Sequence, residues 1–228
     1  MDNLHRLAAT RVFSGVPERS LTSLSLATSL VTLREREHLW HRGKDPSIVA
    51  IVVRGLIQIV NTTASGESTI FGIFGPGQAV GLSAVMEGKP YPASAIAAAK
   101  NTVVLKVAGG EVVAVATRDA DVARALAQAL IEHTNALRSK IEVLSAGSNQ
   151  ARIAVLLLGL AERYGDEMGG SALLPIELSR GTIASLVSAR VETVIRQMTQ
   201  WQREGIVTKV DGGIRLDLDR LRRASHAG

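Results

Sequence analysis

The chain has 228 residues, 46% of them hydrophobic and 21% charged, a composition that belongs to a folded globular protein rather than a disordered one. It contains no cysteine, which excludes disulfides, thiol nucleophiles, thiol redox sensing and iron–sulfur clusters together. The net charge of +5 leans towards an anionic partner, and the excess is local: between 180 and 203 there are four arginines against one acid, Glu192.

The opening "MDNLHRLAATRVFSG" lacks the apolar core of a signal peptide. The longest apolar run, "IAVLLLGLA", is about half of the roughly 20 residues a membrane helix needs. The expectation is a soluble, cytoplasmic protein. A first helix follows from "PERSLTSLSLAT", where Pro17 and Glu18 suit a first turn. From about Val31 to Val107 the chain reads as strands. "SIVAIVV", "LIQIV", "STIFGIF" and "TVVLKV" are rich in β-branched residues, and turn signals fall at Gly43, Gly55, Gly66, Gly75-Pro76-Gly77, Gly81 and Gly88. Short strands at this spacing predict an antiparallel sandwich or barrel.

A long helix is predicted from about Asp119 to Ala146. Leu126, Leu130, His133, Leu137, Lys140 and Leu144 recur at spacings of four and three, with Ile141 beside the last turn. Such a helix, about 40 Å long, either packs along its own β domain or forms a two-stranded dimer seam, the reading we favour. The seam would use Leu126, Leu130, His133, Leu137, Ile141 and Leu144. A histidine there is more often a tolerated polar residue than a ligand. After the hinge "AGSNQ", a buried helix "ARIAVLLLGLAERYG" ends at Gly165, and "DEMGGSALLP" reads as a loop. Two short helices follow, then a two-stranded hairpin in "GIVTKVDGGIRLDL", turning at Asp211-Gly212-Gly213. That order is the order of a winged helix-turn-helix.

Ser179 can cap the first short helix, and Ser188 sits in the tight turn. On the second helix Val194, Met198 and Trp201 make one apolar stripe. Glu192 and Arg196 lie almost opposite it, with Thr193 on the adjoining polar side and Val191 and Ile195 on a flank. Taken alone, Glu192 and Arg196 are an ordinary i, i+4 pair worth ~0.3–0.5 kcal/mol. Behind a short helix and a tight turn, they suit the major groove, where arginine contacts guanine and glutamate accepts from cytosine. Arg180 and Arg190, near helix starts, suit phosphates, and Ile195 or Val191 suits a thymine methyl.

Nearly end to end, the chain resembles the Crp/Fnr family of bacterial transcription regulators, through "VVRGLIQIV", "FGPGQAVGL", "ARIAVLLLGLAERYG", "LSRGTIASLV" and "VETVIRQMTQWQREGIV". The resemblance implies an α+β fold: residues 1–118 as a cyclic-nucleotide-binding-like double-stranded β-roll (a jelly roll), 119–147 as dimerisation helix and hinge, and 148–228 as winged helix-turn-helix. It implies a homodimer on a two-fold symmetric site, with double-stranded DNA and RNA polymerase as partners. Glu192 and Arg196 fall on base-reading positions, and Arg180 on a phosphate-contacting one. Val191 stands where the cyclic-AMP-dependent branch carries arginine, which favours the Fnr-like branch. Ile195 stands where that branch usually has serine, and Ser188 replaces the usual turn glycine.

The effector pocket, by the same resemblance, falls on Gly81, Leu82, Ser83, Tyr91, Ala93, Ser94, His133 and Leu137. Leu82 occupies the position of a nucleotide-binding glutamate, and "YPASA" covers the usual Arg-Ser pair without an arginine. A buried phosphodiester without a cation is poorly compensated, and Leu137 and Arg138 stand where adenine contacts are expected. Cyclic AMP is therefore disfavoured. "YPASA" resembles regulators of nitrogen-oxide respiration, some thought to use haem; the five histidines form no recognisable ligand pair, and a β-roll that folds with no small ligand is an equal alternative to haem. No metal site and no catalytic residues are expected, since HExxH, GxSxG and phosphate-loop motifs are absent. The alternative to a DNA-binding regulator is a ligand-binding or protein-interaction module whose winged helix does not bind DNA.

Overall fold

A computed structural model describes residues 2–62, 68–176 and 178–226. The turn expected at Gly66 lies outside the described residues. The chain forms two compact units, Met1–Ala136 and Leu137–Gly228.

In the first unit, helices α1 (Asn3–Ala8) and α2 (Glu18–Leu26) precede eight strands: β1 (Thr28–Leu33), β2 (His38–Trp40), β3 (Ile48–Arg54), β4 (Ile57–Thr62), β5 (Ser68–Phe74), β6 (Ala79–Val80), β7 (Ser94–Ala97) and β8 (Thr102–Ala108). Short helix α3 (Leu82–Glu87) interrupts them, and α4 (Gly109–Arg118) follows. The strands make two antiparallel sheets, in the orders β1-β8-β3-β6 and β2-β7-β4-β5. Strands β3 and β8 are apolar on both faces because each faces two cores. Val49, Ile51, Leu105 and Val107 pack with the helices, including Leu21, Leu24, Val112 and Val115. Their alternates Ala50, Val52 and Val104 turn towards Trp40, Ile57, Phe74 and Ala97 between the sheets. At Gly55, with φ of +80°, an added Cβ would sit 2.5 Å from Thr102 Oγ1, so the turn into β4 needs glycine.

Helix α5 (Ala120–Ser145) carries the boundary between the units within it. The second unit continues with α6 (Asn149–Tyr164), β9 (Asp166–Met168), β10 (Ser171–Leu174), α7 (Arg180–Val187), α8 (Val191–Arg203), β11 (Val207–Val210), β12 (Gly213–Asp217) and α9 (Leu218–Ser225). Helix α6 starts at Ser148, whose hydroxyl accepts from the Ala151 amide at 3.1 Å, and buries seven residues from Ala151 to Ala161.

Helices α1 and α3 lie outside every expected element, and the structure adds to the sequence reading in three further places. The expected loop "DEMGGSALLP" is a hairpin turning at Gly169 and Gly170, both at positive φ, and it extends the two-stranded wing to a four-stranded sheet ordered β11-β12-β10-β9. Helix α4 was unexpected: its β-branched sequence is helical because Val112 and Val115 fill the core. Helix α9 also adds to the expected hairpin tail. Asp217 caps it, accepting from the Arg220 amide, and Leu218, Leu221 and Ala224 are buried where it packs on α6.

Candidate nucleic-acid interface

Helix α7 begins where Ser179 Oγ accepts from the Thr182 amide at 3.1 Å, and it buries Ile183, Ala184, Leu186 and Val187. It ends because Ser188 turns left-handed, at φ 53° and ψ 47°. Arg190, extended, then occupies the N-cap of α8. Helix α8 is held by Val194, Met198 and Trp201, all buried. Glu192 and Arg196 project into solvent, and they make no ion pair with each other. Val191 is 40% exposed and Ile195 48%, an apolar pair one turn apart beside the two charges. Thr193 is half-buried and Arg190 exposed. Arg180 opens α7, and partial burial lowers its pKa from the usual arginine value. Beyond the expected residues, Gln197 on α8 has a buried side-chain amide nitrogen with no partner.

In the β-roll, several effector-pocket candidates come together around Trp40 and Tyr91. Tyr91 and Trp40 stack with centroids 4.2 Å apart and planes 13° apart. The Tyr91 hydroxyl bonds to Ile48, Trp40 Nε1 donates to the Ala93 carbonyl at 3.1 Å, and Ser94 Oγ accepts from the Arg42 amide at 3.0 Å. Gly81 is at φ 84°, and a Cβ there would lie 2.9 Å from Trp40. Leu82 starts α3 with its side chain in the core, Ala93 is buried and Ser83 is exposed. The Tyr91 hydroxyl and Ser94 Oγ are spent on neighbouring backbone. The guanidinium of Arg42 goes to Asn61 Oδ1, 2.8 Å away. Among the described residues no cluster of three or more His, Asp or Glu side chains has the arrangement of a metal site.

The expected seam needs a correction. Leu126 is buried in the core of the first unit, with Leu130 half-buried against it. His133 is half-buried, its Nε2 2.6 Å from the Ala79 carbonyl and its ring 4.8 Å from that of Phe74. A spacing of four and three is common to coiled-coil seams and to helices laid on a domain, and here the early part of the stripe closes the β-roll core. Further along, Leu137 is 51% exposed, Ile141 65%, and Leu144 is exposed as well. Ile131, outside the expected set, is also exposed.

Two family models match the chain: a cyclic nucleotide-binding domain over residues 30–119 and a Crp-like helix-turn-helix domain over 151–224. The chain belongs to the Crp/Fnr family. As a member of that family it is a transcription regulator with a helix-turn-helix DNA-binding domain, and the family is not one of enzymes. Among its Crp/Fnr relatives, the nitrogen fixation regulation protein FixK of Bradyrhizobium diazoefficiens is 26% identical over 197 residues, 81% of each chain. The transcriptional activator protein anr of Pseudomonas aeruginosa is 26% identical over 176 residues, 77% of this chain and 71% of that one. The solved structure of FixK2 from Bradyrhizobium japonicum shares the fold, with a TM-score of 0.71 and 24% identity over 88% of this chain and 98% of that one. Crp/Fnr proteins bind DNA, typically dimerise, and include cyclic-nucleotide-binding and other effector-binding regulators. No helix among the described residues is long and apolar enough to cross a membrane.

Proposed function

We propose that this regulator works as a homodimer on a two-fold symmetric DNA site, with α8 in the major groove. The observation that carries this reading is the two-sided character of α8. Val194, Met198 and Trp201 anchor one side, while Glu192 and Arg196 stand unpaired on the other, flanked by the exposed Val191 and Ile195. Unpaired polar heads can bond to base edges without first breaking an ion pair, and the apolar flank suits thymine methyls. Arg180 and Arg190 stand at helix starts, where phosphate contacts set register. Leu137, Ile141 and Leu144 supply an apolar stripe for a second copy. With Val191 in place of the arginine of the cyclic-AMP-dependent branch, the base preference is closer to that of the Fnr-like branch, from which Ile195 in place of serine sets it apart.

The β-roll takes no cyclic AMP in this reading. Trp40 and Tyr91 stack among the buried residues between the sheets, and Leu82 offers no acceptor to a ribose. With no cysteine in the chain, an iron–sulfur cluster is not its effector. Enrichment of duplexes from a random-sequence pool, with native mass spectrometry of the complex, tests the proposal. An inverted repeat bound by two chains is expected. Failure to enrich any sequence across salt concentrations would overturn it, in favour of a protein-interaction module.

A further inference from the structure

The turn that aims α8 is held by a side chain from outside the helix-turn-helix. Because Ser188 turns left-handed, the amides of both Ser188 and Ala189 bond back to the Ala184 carbonyl. Arg190, extended, is no longer placed to serve the carbonyl of Leu186, four residues before it. The ammonium of Lys140, on α5, donates to that carbonyl. A cation on the last carbonyls of a helix also meets the negative end of its dipole. Lys140 is half-buried, and burial first, then Arg152, lower its pKa from the usual lysine value. A four-carbon stem ordinarily carries its ammonium to water; here the charge is instead committed to one backbone oxygen. Arg152, on α6, makes the matching contact at the other helix end, its Nε donating to the Ala146 carbonyl just past α5 at 3.0 Å.

The geometry points to Lys140 as a positioning residue for DNA reading. Its ammonium ties the carbonyl end of α7, and so the Ser188–Arg190 turn that sets the direction of α8, to the part of α5 that exposes Leu137, Ile141 and Leu144. This rests on the proposal that α8 reads DNA as one of a symmetric pair. Two reading helices must meet grooves about 34 Å apart, so a change in the roll of α5 is passed to the turn before α8 by this charge-assisted bond.

The test compares wild type, Lys140→Met and Lys140→Arg in the full chain. Affinity is measured for a duplex enriched by the wild type and for its scrambled counterpart, alongside native mass and amide hydrogen exchange. Lys140→Met is expected to keep the wild-type mass and bind the scrambled duplex within two-fold of wild type. It should lose ten-fold or more on the enriched duplex and exchange faster over residues 186–193, with α6 and the β11–β12 hairpin unchanged. Lys140→Arg, which keeps the charge, should restore both. Wild-type exchange and affinity in Lys140→Met would overturn the inference, as would equal loss on both duplexes or faster exchange throughout the second unit. If the wild type enriches no sequence, the DNA-reading proposal fails on that result, and the exchange over 186–193 still decides the tie.

Discussion

The hydroxyl of Tyr91 satisfies both backbone groups of Ile48, donating to its carbonyl at 2.6 Å and accepting from its amide at 3.0 Å. Burial raises the phenol pKa, so the donated proton is present at neutral pH. Tyr91→Phe strips both partners and should cost about 1–3 kcal/mol. It would be read as a lower urea midpoint with unchanged slope. Cyclic AMP should leave the wild-type melting temperature where it is, since a ligand at 100 times its Kd would add about 2.7 kcal/mol. A nucleotide-dependent rise would contradict the reading that the β-roll takes no cyclic AMP.

Burial holds the pKa of His133 below its ordinary 6.5, against the opposing pull of the Ala79 carbonyl and of Glu132, itself paired with Arg11 at 3.3 Å. Below about 6.5 the unfolded chain takes up a proton that the folded chain refuses, so stability falls with pH until the folded pKa is reached. His133→Gln removes that titration. Its stability should vary less than wild type's between pH 7.5 and 5.5, and denaturant midpoints across that range check it. His38, lowered by burial and by His41, contributes the same sign and remains in both proteins.

Ser188→Gly should raise stability. The residue sits at φ 53°, a conformation that costs an L-residue about 1 kcal/mol and glycine almost nothing. Less the extra chain freedom of glycine when unfolded, a gain of about 0.5 kcal/mol is expected. Ser188→Val should lose more than 1 kcal/mol, since β-branching worsens the strain. Calorimetry of the three proteins gives the order.

Arg196→Ala should relax sequence preference, costing about 1–3 kcal/mol on the preferred duplex and little on others. Arg180→Ala should weaken all duplexes alike and make the salt dependence shallower by about one unit in log–log slope. Titrations at several salt concentrations separate the two roles, and identical profiles would contradict the assignment.

Ile141→Asp should break the proposed homodimer. Ile141 is 65% exposed, so the single chain tolerates the change, whereas a charge in an apolar seam does not bury. Sedimentation should then show monomers at micromolar concentration, with an unchanged melt of the isolated chain.

Much of the site was legible because helical periodicity is local. Val194, Met198 and Trp201 mark the buried side of α8, and Glu192 and Arg196 must then face away. Ser188 was placed in the tight turn, and the structure shows that it meets that turn with a positive φ. Leu126 and His133 were misplaced because one spacing serves both a seam and a helix laid on a core. Helix α4 was missed because its valines favour strands until Val112 and Val115 meet the core. The Gly169-Gly170 hairpin was missed because no alternation flanks it.

Sequence alone determined the order of the main zones, from strands through the long helix to the helix-turn-helix and its hairpin, the absence of cysteine chemistry and the outward face of α8, since each depends on composition or on neighbours within a few residues. Only the tertiary structure decided that Tyr91 and Trp40 stack inside the β-roll, that α5 gives its early stripe to the core and exposes its late one, and that Lys140 bonds to Leu186. Those facts join residues 46 to 54 positions apart in three of the contacts that define them, Lys140 to Leu186, Trp40 to Ala93 and His133 to Ala79. No local pattern specifies which backbone oxygen a distant side chain will meet.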